Sequence, residues 1–140
     1  MTVMELESTR DTADELDGLG SDRCRARLAR GTRGRVALEV HVHGGLYDVT
    51  VADGFTRSLL RGAVRGRGWV LAWGQLPPDG APVRVSFTGR GVDVPVDVLV
   101  FGDRFWVAEA DVRARSVVVS ASSERVTSRL RTVRRRSPRR

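Results

Sequence analysis

Val36-Ala-Leu-Glu-Val-His-Val-His-Gly-Gly-Leu-Tyr-Asp-Val-Thr-Val51 decides how the chain is read. Val36, Leu38, Val40 and Val42 alternate with Ala37, Glu39, His41 and His43, the period of two that marks a half-buried strand. Gly44-Gly45 is a two-residue hairpin signal. Closing the hairpin there pairs Val42 with Tyr47, Val40 with Val49 and Leu38 with Val51, so one face becomes continuous and apolar. The other face collects Glu39, His41 and His43 beside Leu46, Asp48 and Thr50.

Further along, the same period returns. Val83, Val85 and Phe87 alternate up to a turn at Gly89-Arg90, and Val92, Val94, Val96, Val98 and Val100 alternate up to Gly102-Asp103. Phe105 and Val107 run back, so two turns lay these residues on one face of an antiparallel meander. Pro95 has no N–H to donate, which places its strand at an edge or a bulge. Glu109 would fall opposite Val96, so the apolar face ends before it. Trp69–Gly74 reads as a short buried strand, Leu76-Pro-Pro-Asp-Gly80 as a loop, and residues 116–121 as one more strand. Ser21 is a cap for a short N-terminal helix ending at Gly31. Ser122 or Ser123 caps a C-terminal helix whose apolar stripe is Val126, Leu130 and Val133. The expectation is a mainly β chain: a small antiparallel six- to eight-stranded β-barrel, closed or nearly closed, with a C-terminal helix and a short N-terminal helix.

Length and composition agree with one modest core. The chain has 140 residues, one Cys, and 24 basic against 17 acidic residues, for a net charge of +7. One Cys excludes a disulfide framework and a four-Cys zinc site. No apolar run is long enough to span a membrane, and the acidic N-terminus has no apolar core of a secretory signal, so a cytoplasmic location is expected. Charge is uneven along the chain. Residues 1–22 hold seven acids and Arg10, residues 23–35 hold six Arg and no acid, and residues 123–140 hold eight Arg against Glu124. Residues 36–122 carry nine charges of each sign and cancel. This divides the chain into an acidic, flexible segment at 1–22, a folded body at 23–133 with a basic arm, and a disordered basic tail at 134–140. All basic residues are Arg, which suits bidentate phosphate recognition, although a GC-rich coding bias accounts equally for that choice and for the abundant Val, Ala and Gly.

The order of parts resembles a PilZ domain, a bacterial cyclic di-GMP receptor module. Leu76-Pro-Pro-Asp-Gly-Ala-Pro-Val-Arg-Val-Ser-Phe87 looks like that family's loop entering a middle strand. Val117-Val-Val-Ser-Ala-Ser-Ser-Glu-Arg-Val-Thr-Ser-Arg-Leu130 looks like its last strand running into the closing helix. The resemblance covers roughly residues 23–133. It implies a six-stranded antiparallel barrel, with arginines of the arm binding phosphate and stacking on the bases. Arg23 and Arg27 have the spacing of the family's RxxxR motif, with Arg30, Arg33 and Arg35 nearer the first strand. Asp53 stands where the acid of (D/N)xSxxG belongs, but Phe55 replaces the serine and Ser58 the glycine. Phenylalanine there removes a hydrogen-bonding hydroxyl, so a protein partner is the alternative to the nucleotide.

Other constellations each have a plainer reading. Glu39, His41 and His43, with Asp48 expected across from His41, form the one candidate metal set, although solvated hairpin faces commonly look the same. Asp93 and Asp97 lie about 13 Å apart on one strand face, too far for paired-carboxylate chemistry. Cys24 has arginine neighbours that would depress its pKa, yet a lone Cys without a nearby His is more often a small apolar contact. Arg65-Gly-Arg-Gly68 echoes arginine–glycine RNA-binding segments and is equally explained by a turn. Trp69, Trp73 and Trp106 are possible stacking platforms, but their strand patterns favour the core. With two histidines and no nucleophile elbow, no enzyme activity and no cofactor are expected. The chain reads as a non-enzymatic regulatory binding module. Its ligand is cyclic di-GMP, held by Arg23, Arg27, Arg30, Arg33, Arg35 and Asp53, or a protein. The alternative is RNA or DNA binding through the arm and the tail arginines Arg134, Arg135, Arg136, Arg139 and Arg140.

Overall fold

The computed structural model describes residues 23–30, 32–52 and 59–133. The expectations for residues 1–22 and 134–140, including the Ser21 cap and the five tail arginines, therefore lie outside the described residues, as do Gly31, Asp53, Phe55 and Ser58. Among those described, twelve strands follow in order. They are β1 (Cys24–Arg30), β2 (Val36–Val42), β3 (Gly45–Val51), β4 (Gly62–Gly66), β5 (Trp69–Gln75) and β6 (Arg84–Gly89). The second six are β7 (Val92–Val96), β8 (Leu99–Phe101), β9 (Phe105–Ala110), β10 (Ser116–Ala121), β11 (Glu124–Arg129) and β12 (Arg131–Thr132).

The mainly β expectation holds, but the barrel does not. The strands form three sheets, ordered β1-β2-β3, β12-β4-β5-β9-β8 and β11-β10-β6-β7, and none closes on itself. The five-stranded sheet is the middle layer. On one side, Trp69, Leu71 and Trp73 of β5 with Phe105 and Val107 of β9 pack against Cys24, Ala26, Leu38, Val40 and Val42 of the first sheet. On the other, Val70, Ala72, Trp106 and Ala108 pack against Val85, Phe87, Val117 and Val119 of the third. Successive side chains of a strand point to opposite faces, so a strand covered on both faces must be apolar throughout. That is why Trp69–Gly74 is a continuous buried run. Burying each large apolar side chain contributes about 1.5–3 kcal/mol. Stacking thus buries the apolar faces of open sheets, whereas a barrel would have removed their edges by closure.

Neither expected helix forms. Cys24–Arg30 is a strand with Cys24 and Ala26 buried and Arg25 and Arg27 exposed, paired with β2 from Cys24↔Val42 to Arg30↔Val36. A seven-position ladder against the apolar β2 outweighs the weak helix signal of the arm, and the only helical element among the described residues is the single 3-10 turn Thr32–Gly34. At the C-terminus, Ser122 and Ser123 make the turn of a hairpin, with Ser122 in the left-handed region, and β11 pairs with β10 from Ala121↔Glu124 to Ser116↔Arg129. Val126 and Leu130 are four apart, a spacing that keeps two side chains on one face of a strand as well as of a helix. After Leu130 the chain crosses to the middle sheet, where β12 runs parallel to β4 and Val133 N donates to Arg65 O at 2.9 Å.

The first hairpin is also shifted. Its turn is His43-Gly44, both at positive φ (52° and 81°), the signature of a type I′ turn. Val42 pairs with Gly45 and His41 with Leu46; a bulge at Val40/His41 then sets Val40 opposite Asp48 and Leu38 opposite Thr50. The one residue of slip beyond the bulge turns β3 over from Asp48 to Val51. Thr50 is buried, while Leu46, Tyr47 and Val49 are exposed. The expected meander is split as well: β6 and β7 pair in the third sheet, whereas β8 and β9 belong to the middle one. Pro95 does lie on an edge strand, β7.

Candidate binding groove

The edges of all three layers meet on one side of the molecule. There β3, β12 with β4, and β11 enclose an open groove of ≈ 480 Å³. Arg61 precedes β4, Arg131 lies in β12 and Arg129 ends β11, so three arginines line it from adjacent elements. Among the described residues none of the three guanidinium groups has an ion-pair partner. Tyr47 and Asp48 of β3 form the opposite wall, and Asp48 is the one acidic residue in the lining.

Local sequence shapes this groove. Gly62 pairs with Trp73 and Gly66 with Trp69 across the β4–β5 ladder. A Cβ at either glycine would stand 2.2 Å from the facing indole, so both rings lie over β4 where side chains are absent. Trp73 donates from Nε1 to Asp48 Oδ2 at 3.0 Å, and Thr50 Oγ1 donates to the same oxygen at 3.1 Å. Tyr47 stands edge-to-face against Trp73, with centroids 6.0 Å apart and an interplanar angle of 88°. These contacts hold the wall rigidly. At the far end of β4, about 13 Å away by strand rise, Arg65, Arg67 and Arg113 line a second, smaller groove of ≈ 280 Å³ beside Trp69. Arg65 Nε is buried there and has no hydrogen-bond partner among the described residues.

The arginines of the arm do not converge. Arg23 sits 5.7 Å from the Trp69 ring centroid and is ion-paired with Glu109 and Asp111. Arg27 is on the outer face of the first sheet, 2.8 Å from Glu39. Arg30, Arg33 and Arg35 are exposed around the β1–β2 turn, at the opposite end of β1 from Arg23. The metal candidates part in the same way. Glu39 Oε1 lies 3.2 Å from His41 Nε2, but His43 turns to the Trp69 ring at 5.8 Å, and Asp48 is on the other face. No group of three such ligands exists among the described residues. The hydrogen bond from Arg27, then that from His41, lowers the Glu39 pKa below its ordinary 4.5.

Trp69, Trp73 and Trp106 are all buried, as their strand patterns suggest, and Cys24 is a small apolar contact in the core. The groove residues themselves escape a linear reading. Tyr47 and Asp48 are brought to the site by the shifted hairpin, and Arg129 and Arg131 by a strand in place of the expected helix. The matched spacing of Gly62 and Gly66 with Trp69 and Trp73 was the available signal. No helix among the described residues is long and apolar enough to cross a membrane. Comparison with family models, curated proteins and solved structures finds no match.

Proposed function

We propose that the protein is a non-enzymatic binding module for single-stranded nucleic acid, taken along the β12–β4 edge. The observation that carries this reading is the groove itself: three guanidinium groups with no ion-pair partner among the described residues, from β11, β12 and the segment before β4, gathered where the edges of three sheets meet. Guanidinium forks suit phosphodiester oxygens. The second groove extends the same edge, lined by Arg65, Arg67 and Arg113 beside Trp69. Together the two grooves offer six arginines and one acid, the kind of charge row that binds by counterion release. The basic tail, with Arg134, Arg135, Arg136, Arg139 and Arg140, follows Val133, which is bonded to Arg65 at that edge.

Cyclic di-GMP is the second ligand of this chemistry. It draws on Arg23 and Arg27, which are already committed to Asp111, Glu109 and Glu39, so oligonucleotides are expected to bind more tightly. The test is a fluorescence anisotropy titration of the full chain with a labelled single-stranded octanucleotide over a range of salt. Three phosphates neutralised by the groove arginines alone predict a log–log slope of about −2 or steeper. The double variant Arg61→Ala, Arg129→Ala should flatten the slope and weaken binding. Affinity indifferent to salt and to that variant, or tighter binding of cyclic di-GMP than of the oligonucleotide, would refute the reading.

A further inference from the structure

We infer that the larger groove also selects a base: Tyr47 is the stacking platform and Asp48 the acceptor for an exocyclic amine. This rests on the nucleic-acid reading above and adds a specificity to it. An acid among three arginines works against a purely phosphate-binding role, because it repels the backbone it would face. Its placement is nevertheless firmly built. Both donors to Asp48 come from side chains only 1% exposed, Trp73 and Thr50, and both act on Oδ2. Oδ1 has no partner among the described residues. The carboxylate is thus oriented by one oxygen and offers the other to the groove. Beside it, Tyr47 is 41% exposed while its edge-to-face contact with Trp73 fixes the ring. A nucleobase stacked on that ring would bring its hydrogen-bonding edge towards Asp48, with Arg61, Arg129 and Arg131 left for the flanking phosphates. The volume, ≈ 480 Å³, falls in the range of small-ligand sites.

The chemistry of the acceptor names the base class. Cytosine presents the N4 amine, a donor that Asp and Glu accept from in direct readout. Adenine and guanine carry exocyclic amines too. Uracil has O4 in place of the amine, and its one edge donor, N3–H, lies between two carbonyl oxygens that a carboxylate repels. Amine-bearing bases are therefore favoured over uracil.

Oligo(C) and oligo(U) octaribonucleotides isolate the effect, since they share backbone, charge and ring size. At fixed moderate salt the full-length protein should bind oligo(C) roughly tenfold more tightly than oligo(U), the scale of one hydrogen bond to a charged group. Asp48→Asn keeps an oxygen for Trp73 and Thr50 but puts an amide N–H where Oδ1 stood. It should erase or reverse the preference while leaving the salt slope unchanged. Tyr47→Leu should weaken both oligonucleotides by about tenfold or more, without changing their ratio. Equal binding of the two by the unaltered protein overturns the base-selection inference and leaves the nucleic-acid reading standing. A preference that survives Asp48→Asn, in a variant whose tryptophan fluorescence shows it folded, overturns the assignment to Asp48. If neither oligonucleotide binds, the function and the inference both fall.

Discussion

Gly74 shows how little room the core leaves. A Cβ there would stand 1.9 Å from the Leu59 carbonyl oxygen and 2.6 Å from Trp106 Nε1. These two atoms are joined by a buried 2.8 Å hydrogen bond. One is backbone and the other belongs to a fully buried ring, so neither can move aside cheaply. Gly74→Ala should destabilise the fold by roughly 3 kcal/mol, the upper range for overpacking; an unchanged urea midpoint would contradict the packing described. On the surface, Glu39 gives a pH signature. Its pKa is depressed in the folded state, chiefly by the Arg27 hydrogen bond and then by His41. The unfolded chain therefore takes up the proton first as pH falls. Stability from this group is complete above the unfolded value near 4.5 and is lost as pH drops through the lower folded value. Arg27 is largely exposed, so the loss should not exceed about 1 kcal/mol. Glu39→Gln should flatten the acid limb of a stability–pH curve by that amount; an unchanged limb would show that the pair contributes nothing.

Two hairpins show which register slips matter. In β6–β7 the observed turn moves the pairing to Phe87↔Val94 and Val85↔Val96, two residues from the expected register, and the same side chains still face the core. In β2–β3 the net shift beyond the bulge is one residue, and the side chains of β3 from Asp48 to Val51 change face. The period of a strand is two, so even slips are silent and odd slips are not. The cause is local: His43 tolerates positive φ beside Gly44, so the turn forms one residue earlier and shifts the pairing by two. The bulge at Val40/His41 takes one residue back and makes the net slip odd. A matched pair of substitutions reads out this register. Val49→Lys, on the solvent face, should change stability by no more than about 0.5 kcal/mol. Thr50→Lys forces a long charged side chain into a fully buried position and should prevent folding or cost several kcal/mol. The opposite ranking in thermal melts would restore the register with Val49 inside. Alternation thus made the strands legible in the sequence, and Pro95 marked its edge. The groove was not legible, because its arginines and Tyr47 share a site only through that odd slip and through β11 replacing a helix.

At the scale of the molecule, the middle sheet is common property. β5 sends Trp69, Leu71 and Trp73 into one cluster and Val70 and Ala72 into the other. Neither outer sheet can bury its apolar face without it. The layers should therefore unfold together. Amide signals of Val40 in the first sheet and Val119 in the third, followed through a urea titration, should give the same midpoint. Separate midpoints would show that an outer layer melts by itself.

The sequence by itself determined that this is a β protein with a basic surface. Alternation, paired turn residues and the all-apolar Trp69–Gly74 run are short-range properties, and short-range physics sets them. It did not determine how many sheets there are, which strands share one, or which arginines meet. The alternation of Val92–Val100 is the same whether Leu99–Phe101 continues its own sheet or crosses to the next. Only the tertiary structure decided that, because the choice turns on burying both faces of β5 and β9 at once. That arrangement also brings three edges together around Arg61, Arg129 and Arg131, residues 68 and two positions apart in the chain but walls of one groove.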